Sequence, residues 1–234
     1  MEFHFSLSRS KKILNIETIF QNKEFIIFNK PNGVLTHPDN STKNFTVRDQ
    51  LLEIEPSIKE WGIPGREGIV HRLDRQTSGL IVCALNHEVF TLLQSSFKNR
   101  NIYKEYVCLV EGKLRTQSGK IEVPLSRSRK NRIKREVSSE GKVSSSNFVV
   151  IDENSTCSKL KIELITGRNH QIRSQMEFIG NPILNDVLYG AKKVAELNEN
   201  QICLHSKKIR FEVRNQNYEF EVDEPSFFND FLNV

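Results

Sequence analysis

The stretch His71 to Leu80, HRLDRQTSGL, sets a single carboxylate, Asp74, between Arg72 and Arg75 and follows it with small polar residues and Gly79. A guanidinium beside a carboxyl group favours its ionised form, and an ionised carboxylate held in place can act as a nucleophile. The same residues also suit an ordinary surface ion pair or turn, and spacing alone does not choose between the two. A second concentration of charge is RSRKNRIKR, Arg127 to Arg135, in which six of nine residues are cationic. Such a block repels itself unless solvent or a polyanion surrounds it, so it is either a solvated hairpin tip or a contact for RNA phosphates. The four cysteines, Cys83, Cys108, Cys157 and Cys203, lack metal or redox spacing and read as buried free thiols. The six histidines likewise lack ligand spacing, so no metal is expected.

The elements that must position these groups follow from periodicity. EFIIFNK (Glu24 to Lys30) reads as a strand ending in the turn signal PNG. TVRDQLLEIEP reads as a short helix begun by a Thr cap and stopped by Pro56. LIVCAL (Leu80 to Leu85) is a buried strand, which places Asp74 in the loop just before it, where Gly79 lets the backbone turn. In HEVFTLLQSSFKN, Val89, Phe90, Leu93 and Phe97 recur at helical spacing and predict a helix packed on a sheet. YKEYVCLVEG, KIEVPL, SNFVVID and KLKIELITG are strand-like runs without helix-length crossovers, so their pairing should be antiparallel. NHQIRSQMEFIG predicts a short helix stopped at Gly180, CLHSKKIRFEV with NYEFEV a closing hairpin, and PSFFNDFL a last helical turn or two. The sum is an α+β fold: a mixed, largely antiparallel sheet with flanking helices, in a single domain over 1–234.

Composition agrees with one globular domain: 234 residues, 37% apolar, no repeat and no long linker. The longest apolar run is far short of the roughly 20 residues a membrane helix needs, and the N-terminus, MEFHFSLSRSKKILNIE, has no apolar targeting core. The expectation is a cytoplasmic protein that does not enter a membrane. Net charge is +5 with a pI near 9.0, and the basic excess is concentrated in the Arg127–Arg135 block.

At this point the chain resembles a family, the RluA-type pseudouridine synthases. HRLDRQTSGL is similar to that family's catalytic motif, and NKPNGVLTHP (Asn29 to Pro38) to its first motif. YKEYVCLVEG resembles its lysine-x-tyrosine strand, ITGRNHQIRSQMEFIGNPILNDVLYG (Ile165 to Gly190) its TGRxHQIR block, and LHSKKIRFEV its final core strand. The matches run in family order over about residues 24–213. Departures are Ser174 and Gln175, where a small apolar residue and His are commoner, and Asn185, where Gly is usual; these bear on RNA specificity rather than chemistry. His71 stands where the sister RsuA-type enzymes usually have Gly. The first twenty or so residues show no clear S4-type RNA-binding domain, which leaves RNA contact to the catalytic domain.

The resemblance implies an isomerase that converts specific uridines of tRNA or rRNA to pseudouridine, without a cofactor, since the glycosidic bond is moved from N1 to C5 and no atom is lost. It implies Asp74 as the catalytic carboxylate, Arg173 as its partner, and Tyr106 as a flat face for uracil with a hydroxyl near C5. Whether Asp74 attacks C1′, attacks C6 or assists glycal formation stays open. Arg72 would touch the flipped-out site, and His71 either contacts it or serves as a hydrogen-bonded scaffold. Lys104 and the hairpin residues Arg129, Lys130, Arg132 and Lys134 would meet phosphates. Lys30, Arg168 and His170 read as scaffold or phosphate contacts, and Glu105 and Asp186 as structural acids. The expected assembly is a monomer with RNA as partner. Two rivals remain: a catalytically inactive RNA-binding protein of this fold, and a carboxylate-dependent nucleosidase or glycosidase, which would need a second acid.

Overall fold

The computed structural model describes residues 15–39 and 44–232. The readings made on the extreme N-terminus lie, through residue 14, outside the described residues. The chain runs β1 (Glu17–Gln21), β2 (Phe25–Lys30), α1 (Val47–Ile54), β3 (Ser78–Ala84), α2 (His87–Asn99), β4 (Tyr103–Glu111), β5 (Ser118–Arg127), β6 (Arg135–Val137), β7 (Lys142–Glu153), β8 (Cys157–Leu164), α3 (Gln171–Phe178), β9 (Leu204–Val213) and β10 (Gln216–Glu221). Short 3-10 turns lie at Pro56–Glu60, Val187–Tyr189 and Ser226–Phe231. The strands form one sheet in the order β1-β2-β3-β9-β4-β8-β7-β5-β6, with β10 on β9. All pairings between these strands are antiparallel except β3 with β9. The fold is therefore α+β with a mixed, largely antiparallel sheet.

Alternation along the central strands explains their unbroken apolar runs. Ile26, Phe28, Ile81 and Cys83 face one core, with Val47 and Leu51 of α1. Phe25, Ile27, Leu80, Val82 and Ala84 face another, closed by Val89, Phe90 and Leu93 of α2. A strand covered on both faces has no polar side to show. Helix α1 begins as expected at Thr46, whose hydroxyl caps the Asp49 amide while the Asp49 carboxylate returns the bond to the Thr46 N–H.

The parallel contact is short, pairing Ser78 with His205 and Gly79 with Ser206. Gly79 has φ +107°, and a Cβ there would lie 2.3 Å from the Ser206 carbonyl oxygen, so no other residue fits this crossing. Two elements were not expected from the sequence. Strand β1 lies in a stretch to which the sequence assigned no element, and the basic block, read as a hairpin tip or an RNA contact, also contributes to two strands. Arg127 ends β5, residues 128–134 form the tip, and Arg135 opens β6.

The departures from the family pattern have structural uses. Gln175 donates from Nε2 to the Ile121 carbonyl at 3.2 Å and accepts from Ser146 Oγ at 2.8 Å, tying α3 to β5 and β7. Asn185 adopts φ 65°, a left-handed conformation Asn tolerates, and its amide bridges the Asn198 and Gln201 carbonyls at 2.9 and 2.6 Å.

Candidate active site

The loop before β3 is pinned by the first motif. Thr36 Oγ1 donates to the Leu73 carbonyl at 2.9 Å and accepts the Leu73 N–H at 3.2 Å. The Gly33 N–H donates to the Arg75 carbonyl at 2.8 Å, and Arg75 Nε donates back to the Gly33 carbonyl at 3.0 Å. Below them Lys30, fully buried, donates to the Pro31, Val34 and Arg75 carbonyls at 3.0, 2.9 and 3.3 Å, a scaffold role. Burial pulls its pKa down to about 7, against a smaller upward pull from Asp74. Asn29–Pro38 thus acts as a clamp that fixes the backbone on both sides of Asp74.

Asp74 opens onto a cleft of about 700 Å³ whose wall includes Tyr106 of β4, Leu164 at the end of β8, residues 165–173 leading into α3, and Leu204 of β9. It is the sole carboxylate among the residues lining that cleft, against Arg72, Lys98, Arg100, Lys104, Arg135, Arg168 and Arg173. Among the described residues the Asp74 carboxylate accepts no hydrogen bond. Two groups face its Oδ2: Arg173 Nη1 at 3.6 Å and His170 Nε2 at 3.8 Å.

Arg173 is 1% exposed and makes its strong contact elsewhere than expected. Nε and Nη2 grip both oxygens of the buried Asp186 at 2.7 and 2.8 Å, which leaves Nη1 for Asp74 and for Gln76 Oε1 at 3.5 Å. A planar fork can bind one carboxylate bidentately and still present its third nitrogen. Asp186, read from the sequence as merely structural, therefore orients the arginine. His170 and Tyr189 were also not placed beside Asp74 by sequence reasoning. The available signal was local, since His170 precedes Arg173 by three residues and Tyr189 follows Asp186 by three.

Tyr106 is 7% exposed and faces Ser206 across the β4–β9 pairing. Burial pushes its phenol up to about 12, with the Asp74 charge adding to the rise and a hydrogen bond with Ser206 opposing it. Lys104 lines the cleft with its pKa lowered to about 8 by burial and by Arg100. Arg72 is exposed on the rim, with Nη1 3.2 Å from His37 Nε2. His71 is used by the fold: its Nε2 accepts the Val82 N–H at 3.0 Å and its ring stacks on Phe97 at 4.5 Å. Burial lowers its pKa to about 3, so a neutral ring braces β3 rather than meeting a phosphate as a cation.

In the basic hairpin, Arg129 pairs with Glu140 at 2.8 Å and Lys134 with Glu177, whereas Lys130 and Arg132 are exposed without an ion pair among the described residues. Arg135 reaches the cleft wall, which joins this hairpin to the site.

The sequence profile of the RNA pseudouridylate synthase family matches residues 24–178. The chain belongs to this family. Its RluA-type character is supported by relatives such as the ribosomal large subunit pseudouridine synthase D of Borreliella burgdorferi, 34% identical over 93% of this chain and 68% of that protein. An RNA pseudouridine synthase of Mycoplasma genitalium is 33% identical over 85% of this chain and 62% of its own length. The synthase D of Haemophilus ducreyi is 36% identical over 76% of this chain, matching 53% of that protein. The chain thus spans about half to two thirds of the length of these curated relatives. Among solved structures, human RNA pseudouridylate synthase domain containing 4 superposes with a TM-score of 0.73 at 21% identity, covering 92% of this chain and 91% of that one. This likeness carries the pseudouridine synthase fold alone. No helix among the described residues is long and apolar enough to cross a membrane.

Proposed function

We propose that this pseudouridine synthase family member isomerises uridine to pseudouridine in structured RNA, with Asp74 as the reacting carboxylate. The observation that carries the reading is the cleft itself, in which one carboxylate faces a wall of cations. A glycosidase or nucleosidase built on paired acids needs a second carboxyl group across the bond, and no other carboxylate lines this cleft. The inactive-binder alternative is disfavoured by the support built around Asp74, since a surface for phosphates alone has no use for a half-buried acid held at its centre.

The reaction breaks N1–C1′, turns the uracil and joins C5 to C1′. C5 gives up its proton and N1, released from the sugar, gains one, so substrate and product are isomers and no redox partner or cofactor enters the balance. Asp74 supplies negative charge to the sugar or base as the glycosidic bond opens, and Arg173 Nη1 steadies its Oδ2. Tyr106 offers the uracil a ring face. Because its phenol is protonated at neutral pH, it can receive the C5 proton only while passing its own hydrogen on. The cationic rim, with Arg72, Lys104 and the hairpin tip, meets the phosphates around a uridine drawn out of its stack. The reading carries with it a monomer that acts on cytoplasmic RNA. The names of the relatives favour ribosomal RNA over tRNA as substrate.

The test is tritium release from total RNA labelled with 5-tritiated uridine and taken from cells lacking the gene. It is paired with pseudouridine mapping of those cells and of cells carrying the gene. Wild-type protein should release tritium and restore one or a few modified sites, and Asp74→Asn should release none while still binding RNA. Free uracil in place of retained pseudouridine would overturn the isomerase reading in favour of hydrolysis. Full release by the Asn variant, with reversion to Asp excluded by mass spectrometry, would remove Asp74 from the chemistry.

A further inference from the structure

We propose that Tyr189 is a positioning residue that couples the basic hairpin to Asp74 by fixing which nitrogen of His170 carries the proton; this rests on the activity proposed above. Tyr189 is fully buried, and its hydroxyl oxygen accepts the backbone N–H of Arg135, the first residue of β6, at 2.8 Å. With that lone pair engaged, the hydroxyl hydrogen is free for its other neighbour, His170 Nδ1, at 3.0 Å. An imidazole whose Nδ1 accepts a hydrogen bond keeps its proton on Nε2 when neutral. Nε2 is the atom that faces Asp74 Oδ2 at 3.8 Å. Burial lowers the His170 pKa, which keeps the ring neutral, although the Asp74 charge pulls the other way. Asp74 thus has an N–H aimed at the same oxygen that Arg173 addresses, just outside hydrogen-bond length.

The geometry of His170 is specific to this task. It is a non-glycine residue with φ 53° directly before α3, held off the helix so that its ring reaches both Tyr189 and Asp74. The hairpin is fastened to the same assembly at three points. The Arg135 N–H meets Tyr189, the Arg135 carbonyl accepts from Ser174 Oγ at 3.2 Å, and Lys134 pairs with Glu177 while its Nζ lies 5.0 Å from the centre of the Tyr189 ring. On the other side the Arg173 guanidinium lies 4.9 Å from that ring centre. A phosphate that engages Lys134 or shifts β6 therefore acts directly on Tyr189, and through it on the two donors that face Asp74. Seating of RNA on the hairpin is in this way transmitted to the carboxylate.

The test uses Tyr189→Phe in the full chain, which keeps the ring and removes only the hydroxyl. Two readouts are taken: single-turnover tritium release from the labelled total RNA at a series of enzyme concentrations, and the nitrogen NMR signals of His170 in isotope-labelled protein, assigned by their loss in His170→Asn. The wild-type ring should show a protonated Nε2 and a bare Nδ1, and the variant should lose that preference. Its maximal release rate should fall about 10- to 100-fold, by analogy with the loss of an outer partner that orients a metal-binding histidine. Half-saturating enzyme concentration should stay within about twofold, because phosphate contacts are untouched. A protonated Nδ1 in the wild type, or a wild-type rate in the variant, overturns the assignment. So does a loss of affinity and melting temperature with the maximal rate preserved, which would make the hydroxyl a structural strut. Should the wild-type protein itself release no tritium, the activity reading fails, and the His170 tautomer alone then decides the role of Tyr189.

Discussion

Asp74 and Asp186 both face Arg173, yet removal of their charges should have opposite consequences. Asp186 is 1% exposed and takes two charge-assisted hydrogen bonds from Arg173, at 2.7 and 2.8 Å. Asp186→Asn keeps one acceptor but leaves a guanidinium buried without its bidentate counter-charge. Breaking a buried pair on one side costs about 3–5 kcal/mol, and the retained acceptor together with Asp74, 3.6 Å away, puts the expected loss near the lower end, about 3 kcal/mol. For a chain of 234 residues that corresponds to a fall of roughly 6–12 °C in melting temperature. Asp74→Asn leaves the Arg173–Asp186 pair intact and removes a carboxylate that accepts no hydrogen bond among the described residues. The stability change should stay within about 1 kcal/mol. Thermal unfolding followed by circular dichroism, beside tritium release, separates the two. Asp186→Asn should be destabilised and slowed, Asp74→Asn stable and inactive. If Asp74→Asn melts as early as Asp186→Asn, Asp74 is the structural partner of Arg173, and its assignment as the reacting group is wrong.

Tyr106→Phe keeps the ring that would stack on uracil and removes the hydroxyl. RNA affinity should stay near wild type while product formation slows by about 10²-fold or more, the scale of general acid–base assistance, and wild-type turnover would reduce Tyr106 to a stacking surface. Replacing Arg129, Lys130, Arg132 and Lys134 together by Ser should weaken RNA binding and flatten its salt dependence. Lys130 and Arg132 alone account for a slope change of about 1.4–1.8, because Arg129 and Lys134 begin paired with Glu140 and Glu177. Binding titrations between low and moderate salt would show an unchanged slope if the tip is only solvated surface. At acid pH, Glu67 should govern part of the stability. Its hydrogen bonds with Arg48 hold the carboxyl at about 2, below the ordinary 4.5. That stability is complete above pH 4.5 and disappears as pH falls through about 2, so Glu67→Gln should flatten the melting-temperature profile across this window. An acid limb identical to wild type would refute the link.

Much of the fold was legible because it is locally encoded. Periodicity gave α2, the apolar run gave β3, the Thr46 cap and Pro56 bracketed α1, and the lack of crossovers gave antiparallel pairing for β4, β5, β7 and β8. Ordered motifs, taken with the family they resemble, single out Asp74, Tyr106 and Arg173 from the sequence alone. Strand β1 was missed because ETIFQ is half-exposed on a sheet edge and carries little pattern. β6 was hidden because three residues inside a basic run give no period at all.

What only the tertiary structure decided is the set of partners each charged group has. A sequence lists cations and acids but not which share a buried space, and in low dielectric that sharing sets their roles. Arg173 is adjacent to neither acid in the chain, yet it grips Asp186 and merely steadies Asp74. His71 stands three residues before Asp74, yet its ring nitrogen is taken by the Val82 backbone. Among the described residues the hairpin cations divide into paired and unpaired because Glu140 and Glu177 arrive from other segments of the chain. The types of residue that do chemistry are fixed by sequence; their orientation follows from non-local contacts between β3, β9, α3 and the β5–β6 hairpin, which no local pattern records.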